Sequence, residues 1–295
     1  MNNIKISLRN YSKDKERYKK YRKQLLELLN ENNSKLNFDL KIIARILDTK
    51  TDSDFGEETN TYAAMHSIVQ DDRALIEIDS MIFDYFEKND ELMVRICLFH
   101  EFCHIDDLHY IASFPYFKGR AVDSMKLTSI NEINIFIGIL FWTEYYAYSK
   151  TFLNFKKFDQ YISIYDLEKN YISLQKQITK GKTIENKKLR DKLLIGAIIK
   201  VNVYTHFVAM NLASTKFGDK RKIKDKNKIF DEETHEIVTG MLEKFSYYAN
   251  ELTKYRSDNK FITYLRKLGD YINFEYNEIF DVKLAKKDNY FVHYI

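Results

Sequence analysis

The sequence predicts an α+β protein that is mostly helical, with a small mixed sheet and a hairpin near its start. Three observations predict it. One Pro and 8 Gly in 295 residues leave little to interrupt long helices. Segments with strand-like patterning occur only before about residue 80, and from there on apolar residues recur behind N-cap residues. The apolar fraction of 45%, with 22 Tyr and 21 Phe, is enough for a substantial and strongly aromatic core.

Ile4 to Leu8 alternates and reads as a short edge strand. Ser12 to Asn30 is charged and then carries Leu25, Leu26, Leu28 and Leu29, which suits a helix. Leu36 to Leu47 is read as a strand and Thr49 to Thr61, polar with Gly56, as a loop. A hairpin follows: Tyr62 to Val69 is one arm, Gln70 to Arg73 the turn and Ala74 to Ile78 the other arm. Asp79 to Glu87 reads as a short helix. Asn89-Asp90 offers an N-cap, and Glu91 a first-turn acid, for a long helix to about Tyr110. Pro115 and Gly119 mark the next loop.

Ser129-Ile130-Asn131-Glu132 is a capping box, so a helix begins there and runs past Lys150. Further helices are expected at Asp166 to Thr179, Asn186 to Ser214, Glu232 to Arg256 and Asn259 to Tyr271. The basic stretch Lys216 to Lys228 is read as a solvated loop and a boundary. It separates a domain of residues 1–215 from a helical C-terminal extension of 229–295 packed on it.

A formal net charge of +4 does not point to a nucleic-acid partner. Cys97 and Cys103 sit six apart on one helix and cannot pair, so no disulfide framework is expected, which suits a reducing compartment. Met1 to Arg9 has no apolar core of a secretory signal, and a cytoplasmic protein is expected. Leu193 to Ser214 is apolar but holds Lys200, Asn202, His206 and Asn211, so it reads as a core helix and no membrane partner is expected.

The most informative residues are His100-Glu101-Phe102-Cys103-His104. Each helical residue turns about 100°, so His100 and His104 lie on one face, one turn apart, able to grip one metal ion. Glu101, one step around, can reach a water on that ion without binding the ion itself. The same face carries Met93, Cys97 and Leu108 and otherwise reads as core. A catalytic zinc ion takes three protein ligands and keeps one open position. The third ligand expected is Glu144, set in the stripe Ile133, Ile137, Leu140, Glu144, Ala147. A carboxylate among apolar residues needs a partner. A metal would serve, and so would a basic side chain such as Arg95 or Lys200.

His100-Glu101-x-x-His104 followed by Glu144-x-x-Ala147 resembles the gluzincin pattern of zinc peptidases, and in style the ImmA/IrrE-type metallopeptidases most of all. The resemblance covers about Tyr62 to Phe152. It implies a zincin-like domain with two metal-site helices, Zn2+ held by His100, His104 and Glu144, Glu101 as general base, and a peptide or protein substrate. Gluzincins often carry Asp or Asn one position after the Ala, as a partner to a ligand histidine; this chain has Tyr148, whose hydroxyl could serve, with Asp107 as the alternative. His206 matches the place where some gluzincins put a transition-state-stabilising histidine, and a hydrogen-bonded core histidine is the other reading. His66, in the hairpin, reads as core or surface. The alternative to a hydrolase is a regulatory or interaction protein on the same scaffold, with a structural metal or none.

Overall fold

In a computed structural model the chain is α+β and mostly helical. The structure describes residues 4–8, 15–38, 41–47, 65–70, 73–117, 129–223, 227–280, 283–287 and 290–294. The loop expected at Thr49 to Thr61 and the Gly119 turn lie outside the described residues. The chain forms two compact units, Met1–Ser124 and Met125–Ile295.

The first unit opens with β1 (Ile4–Leu8), α1 (Lys15–Asn33) and β2 (Lys41–Leu47), a strand–helix–strand crossover that makes β1 and β2 parallel. The hairpin β3 (Met65–Gln70) and β4 (Arg73–Asp79) follows as expected, with β4 parallel to β2 and β3 antiparallel to β4. The sheet order is β1-β2-β4-β3. Buried residues alternate in register across it: Ile42 opposite Ala74, Ala44 opposite Ile76, Ile46 opposite Ile78. That face receives Leu25, Leu28 and Leu29 of α1 and Phe83 and Phe86 of α2 (Ile82–Glu87).

Asn89 has φ of 55°, a left-handed turn that Asn tolerates, and it redirects the chain from α2 into α3 (Glu91–Ala112). Asp90 caps α3, its side chain accepting the Met93 N–H at 3.2 Å. Helix α3 packs on the sheet core through Val94, Leu98, Phe102 and Ile105, spaced at helical repeats. Salt bridges tie the helices: Arg17 of α1 to Asp84 and Glu87 of α2, and Arg95 of α3 to Glu31 of α1 and to Glu91.

The second unit is a helical assembly of α4 (Ile130–Asn154), α5 (Ile164–Thr183), α6 (Lys187–Phe217), α7 (Glu232–Lys254) and α8 (Lys260–Phe280). The Ser129–Glu132 capping box starts α4 as read, and Asn186 and Asp231 cap α6 and α7. A second box, Ser163 with Asp166, starts α5 slightly earlier than expected. Helices α4 and α8 cross at very close range. A Cβ added to Gly138 would fall on the Leu265 carbonyl, and one added to Gly269 on the Asn134 carbonyl. Polar contacts seal this crossing: Asn134 donates to Asp270 at 3.0 Å and accepts from Asn273. Trp142, Phe141, Phe245 and Phe261 fill the aromatic core beside it. Glu168, fully buried on α5, accepts the Phe230 backbone N–H at 2.6 Å and lies 2.6 Å from His235 Nδ1, fixing the start of α7.

Three expectations change. The compact units divide after Ser124, whereas the sequence places its boundary at 216–228. That polar stretch connects helices of one core, since α7 and α8 bury Met241, Phe245, Phe261 and Leu265 in the same unit as α4. The last helix runs to Phe280 rather than Tyr271, and an unanticipated hairpin, β5 (Lys283–Lys287) with β6 (Tyr290–Tyr294), follows it. Finally, the arm Ala74 to Ile78, which the sequence reading takes as the edge of a cleft that an extended substrate would join as a strand, lies inside the sheet, because β2 and β3 pair with its two sides; among the described residues β1 and β3 are the outer strands. Among the described residues no helix is long and apolar enough to cross a membrane, and Leu193 to Ser214 is the interior of α6.

Candidate metal centre

Helix α3 presents two faces with different tasks. Val94, Leu98, Phe102 and Ile105 are spent on the sheet. The face with Met93, Cys97, His100, His104 and Leu108 lies at the margin of that core: Cys97 and Leu108 pack against it and His104 is buried, while Met93 and His100 are half-buried. The half-open face is the one that carries the histidines.

His100 Nε2 and His104 Nε2 lie 3.1 Å apart, with the rings nearly perpendicular at 79° and their centroids 4.8 Å apart. Two imidazole nitrogens each bound at ~2.0–2.1 Å to one ion and separated by this distance subtend roughly 100° at it, close to the tetrahedral angle. A carboxylate oxygen of Glu101 joins them, all three ligand atoms lying within 4.8 Å of one another. Glu101 and His104 are buried and His100 is half-buried, so the group is largely withdrawn from solvent.

Among the described residues, His100, Glu101 and His104 form the group of potential metal ligands; neither Cys97 nor Asp107 belongs to it. Burial pushes the Cys97 thiol up to about 12, and the nearby Glu101 and Asp90 charges add to this. Such a thiol stays protonated at neutral pH and is a poor competitor for an ion. Asp107 is fully buried three residues beyond His104. His66 lies in β3, in register with Glu77.

Glu144 and His206 come together in the second unit. His206 Nδ1 on α6 is 3.5 Å from Glu144 Oε1 on α4. The sequence offered Arg95 or Lys200 as basic neighbours of Glu144; Arg95 is engaged with Glu31 and Glu91. The true neighbour was hard to find because it is 62 residues further on (206 − 144), on a helix with no strong facial pattern of its own. Tyr148 follows Glu144 by one turn and is half-buried. The apolar stripe assigned to α4 also changes character along its length. Ile133 and Ala147 are buried, Leu140 is 42% exposed, and the Glu144 side chain, 17% exposed, is mostly buried between them.

No family model, curated protein or solved structure matches the chain. What the site can do is therefore argued from its chemistry. Two imidazoles aimed at one point with a carboxylate beside them suit a divalent ion of borderline softness better than Mg2+ or Ca2+, which take oxygen ligands.

Proposed function

We propose that the protein is a zinc-dependent hydrolase of the gluzincin type, acting on peptides. The observation that carries this is the convergence of His100 Nε2 and His104 Nε2 at 3.1 Å with the Glu101 carboxylate beside them on one helix. In this reading His100 and His104 bind Zn2+ through Nε2, and Glu144 is the third ligand assigned from the sequence. Bound zinc lowers the pKa of a coordinated water toward ~7 and polarises the carbonyl to be attacked.

Glu101 accepts the proton of the attacking water at its carboxylate. It then delivers that proton to the departing amine, so one residue serves as base and acid in turn. Its burial removes competing solvent from the proton's path. With Nδ1 toward Glu144, His206 has Nε2 left to meet a ligand, which fits stabilising developing charge on an oxygen. Tyr148, one turn from Glu144, is the other residue assigned from the sequence to such a role.

Peptide is the substrate class favoured by the sheet. Among the described residues strand β3 is antiparallel to β4 alone and forms an outer strand of the sheet, with α3 packed against it. An extended chain can add to such an edge through backbone hydrogen bonds, which recognises peptide without reading its sequence.

The test is hydrolysis of a mixed fluorogenic peptide library. Activity is expected to fall more than tenfold with 1,10-phenanthroline and to return when one equivalent of zinc is restored. Cleavage that ignores the chelator would overturn the metal-dependent reading.

A further inference from the structure

Residues 150–160, 216–222 and 251–260 close or follow helices α4, α6 and α7, and together hold ten Lys and Arg against four Asp and Glu. They lie far apart in the sequence, and the fold of the second unit joins them. Lys222 Nζ donates to the Lys156 carbonyl at 3.3 Å, and the Asp219 N–H donates to the Tyr161 hydroxyl at 3.1 Å, which ties the end of α6 to the end of α4. Lys216 Nζ donates to Asn250 Oδ1 of α7 at 2.7 Å. Lys150 and Arg256 share the ring of Tyr146, at 5.3 and 4.2 Å from its centroid, which ties the turn after α7 to α4. One end of this helical unit therefore carries an excess of six positive charges, more than the +4 of the whole chain.

Lysine at a helix end ordinarily answers the helix dipole. Each C-terminus is equivalent to about half a negative charge, so three of them offset roughly one and a half of the six. The four acids are already counted, and one of them, Asp219, is engaged by Arg221 at 2.9 Å. Lys156, Lys157, Lys220 and Lys222 are exposed. Like charges held this close repel one another. The contacts that gather them go to a carbonyl, an amide and an aromatic ring, none of which neutralises charge.

We propose that this end of the second unit is a docking surface for the phosphate backbone of a nucleic-acid duplex. Duplex DNA presents one negative charge per about 1.7 Å of axis, an array that several lysines spread over one end meet at once. An acidic membrane fits less well. Membrane-binding surfaces set large apolar side chains among their lysines, and in these three segments the exposed one is Leu153. Contact with phosphate alone reads no sequence, so binding is independent of it. The surface lies wholly within the second unit and goes beyond the hydrolase reading, with which it neither stands nor falls.

The experiment follows the fluorescence anisotropy of a labelled DNA duplex of about 20 base pairs and mixed sequence, titrated with the full chain. Neutralising four phosphates is expected to cost about 10²-fold in affinity between 50 and 200 mM NaCl. Lys156→Glu combined with Lys157→Glu and Lys222→Glu is expected to weaken binding at least tenfold at the lower salt. Lys19→Glu combined with Lys23→Glu and Lys35→Glu on α1 changes the net charge equally and is expected to stay within twofold. All six lysines are exposed, and circular dichroism verifies that both variants fold. No binding at the lower salt, or equal weakening by the two triple variants, would overturn the assignment. So would capture by phosphatidylserine vesicles without binding to the duplex, which would make this end a membrane surface instead.

Discussion

Glu101→Gln is expected to lower peptide hydrolysis by about 10²–10⁴-fold while leaving zinc bound. The two effects separate because Glu101 and the histidines have different tasks. His100 and His104 offer Nε2 lone pairs 3.1 Å apart, and that pair is untouched by the change. Gln matches Glu in shape, so the buried position stays filled. What is lost is the ability to take and return a proton. The measurement is kcat for the best library peptide, beside zinc content by plasma mass spectrometry. Loss of zinc together with activity would mean that Glu101 is a ligand and not a base. Unchanged hydrolysis would remove it from the chemistry altogether.

Gly138→Ala and Gly269→Ala are each expected to destabilise the second unit by about 3 kcal/mol or more, at or beyond the upper end of ordinary overpacking. In both cases the added methyl group meets backbone rather than a movable side chain: the Leu265 carbonyl for Gly138, the Asn134 carbonyl for Gly269. Helices α4 and α8 would have to separate, which strains the Asn134–Asp270 and Asn134–Asn273 hydrogen bonds and the Trp142–Phe261 contact. Gly240→Ala on α7 is the control. Nothing lies within 4 Å of a Cβ there. Ala is the better helix former, so a gain of roughly 0.5–1 kcal/mol is expected. Thermal unfolding followed at 222 nm distinguishes these signs. Equal effects at Gly138 and Gly240 would show that helix propensity, and not the α4–α8 approach, governs the position.

What the sequence made legible was local chemistry. The caps at Asp90 and Ser129 are read correctly because a cap needs only its own first turn. The hairpin is read correctly because strand patterning and turn lie within a few residues of each other. The spacing of His100 and His104 fixes their juxtaposition for the same reason.

What escaped was set by distant partners. Helices α3 and α4 are apolar on nearly every side, so the pattern could not say which stripe of each is spent on the core. The sequence chose Met93–Cys97–Leu108 and Ile137–Leu140, and the structure leaves both partly open. Cys97 and Leu108 pack at the margin of the sheet core, and Ile133 and Ala147 of the α4 stripe are buried, so the departure is confined to Leu140 and its half-buried neighbours. The His206–Glu144 and His235–Glu168 pairs each join residues more than sixty positions apart, and no local signal announces either. The pairing of β2 with β4 rather than β3 is likewise a long-range choice that no local signal announces.

The most direct test of the central claim is metal stoichiometry. Native protein, purified without added metal or chelator, is dialysed and its zinc counted per chain, beside His100→Ala and His104→Ala. One zinc per chain in the native protein and less than a tenth of that in either variant is the expected result. A native protein without zinc that also fails to take up one equivalent, or variants that hold it as well as the native chain does, would contradict the account.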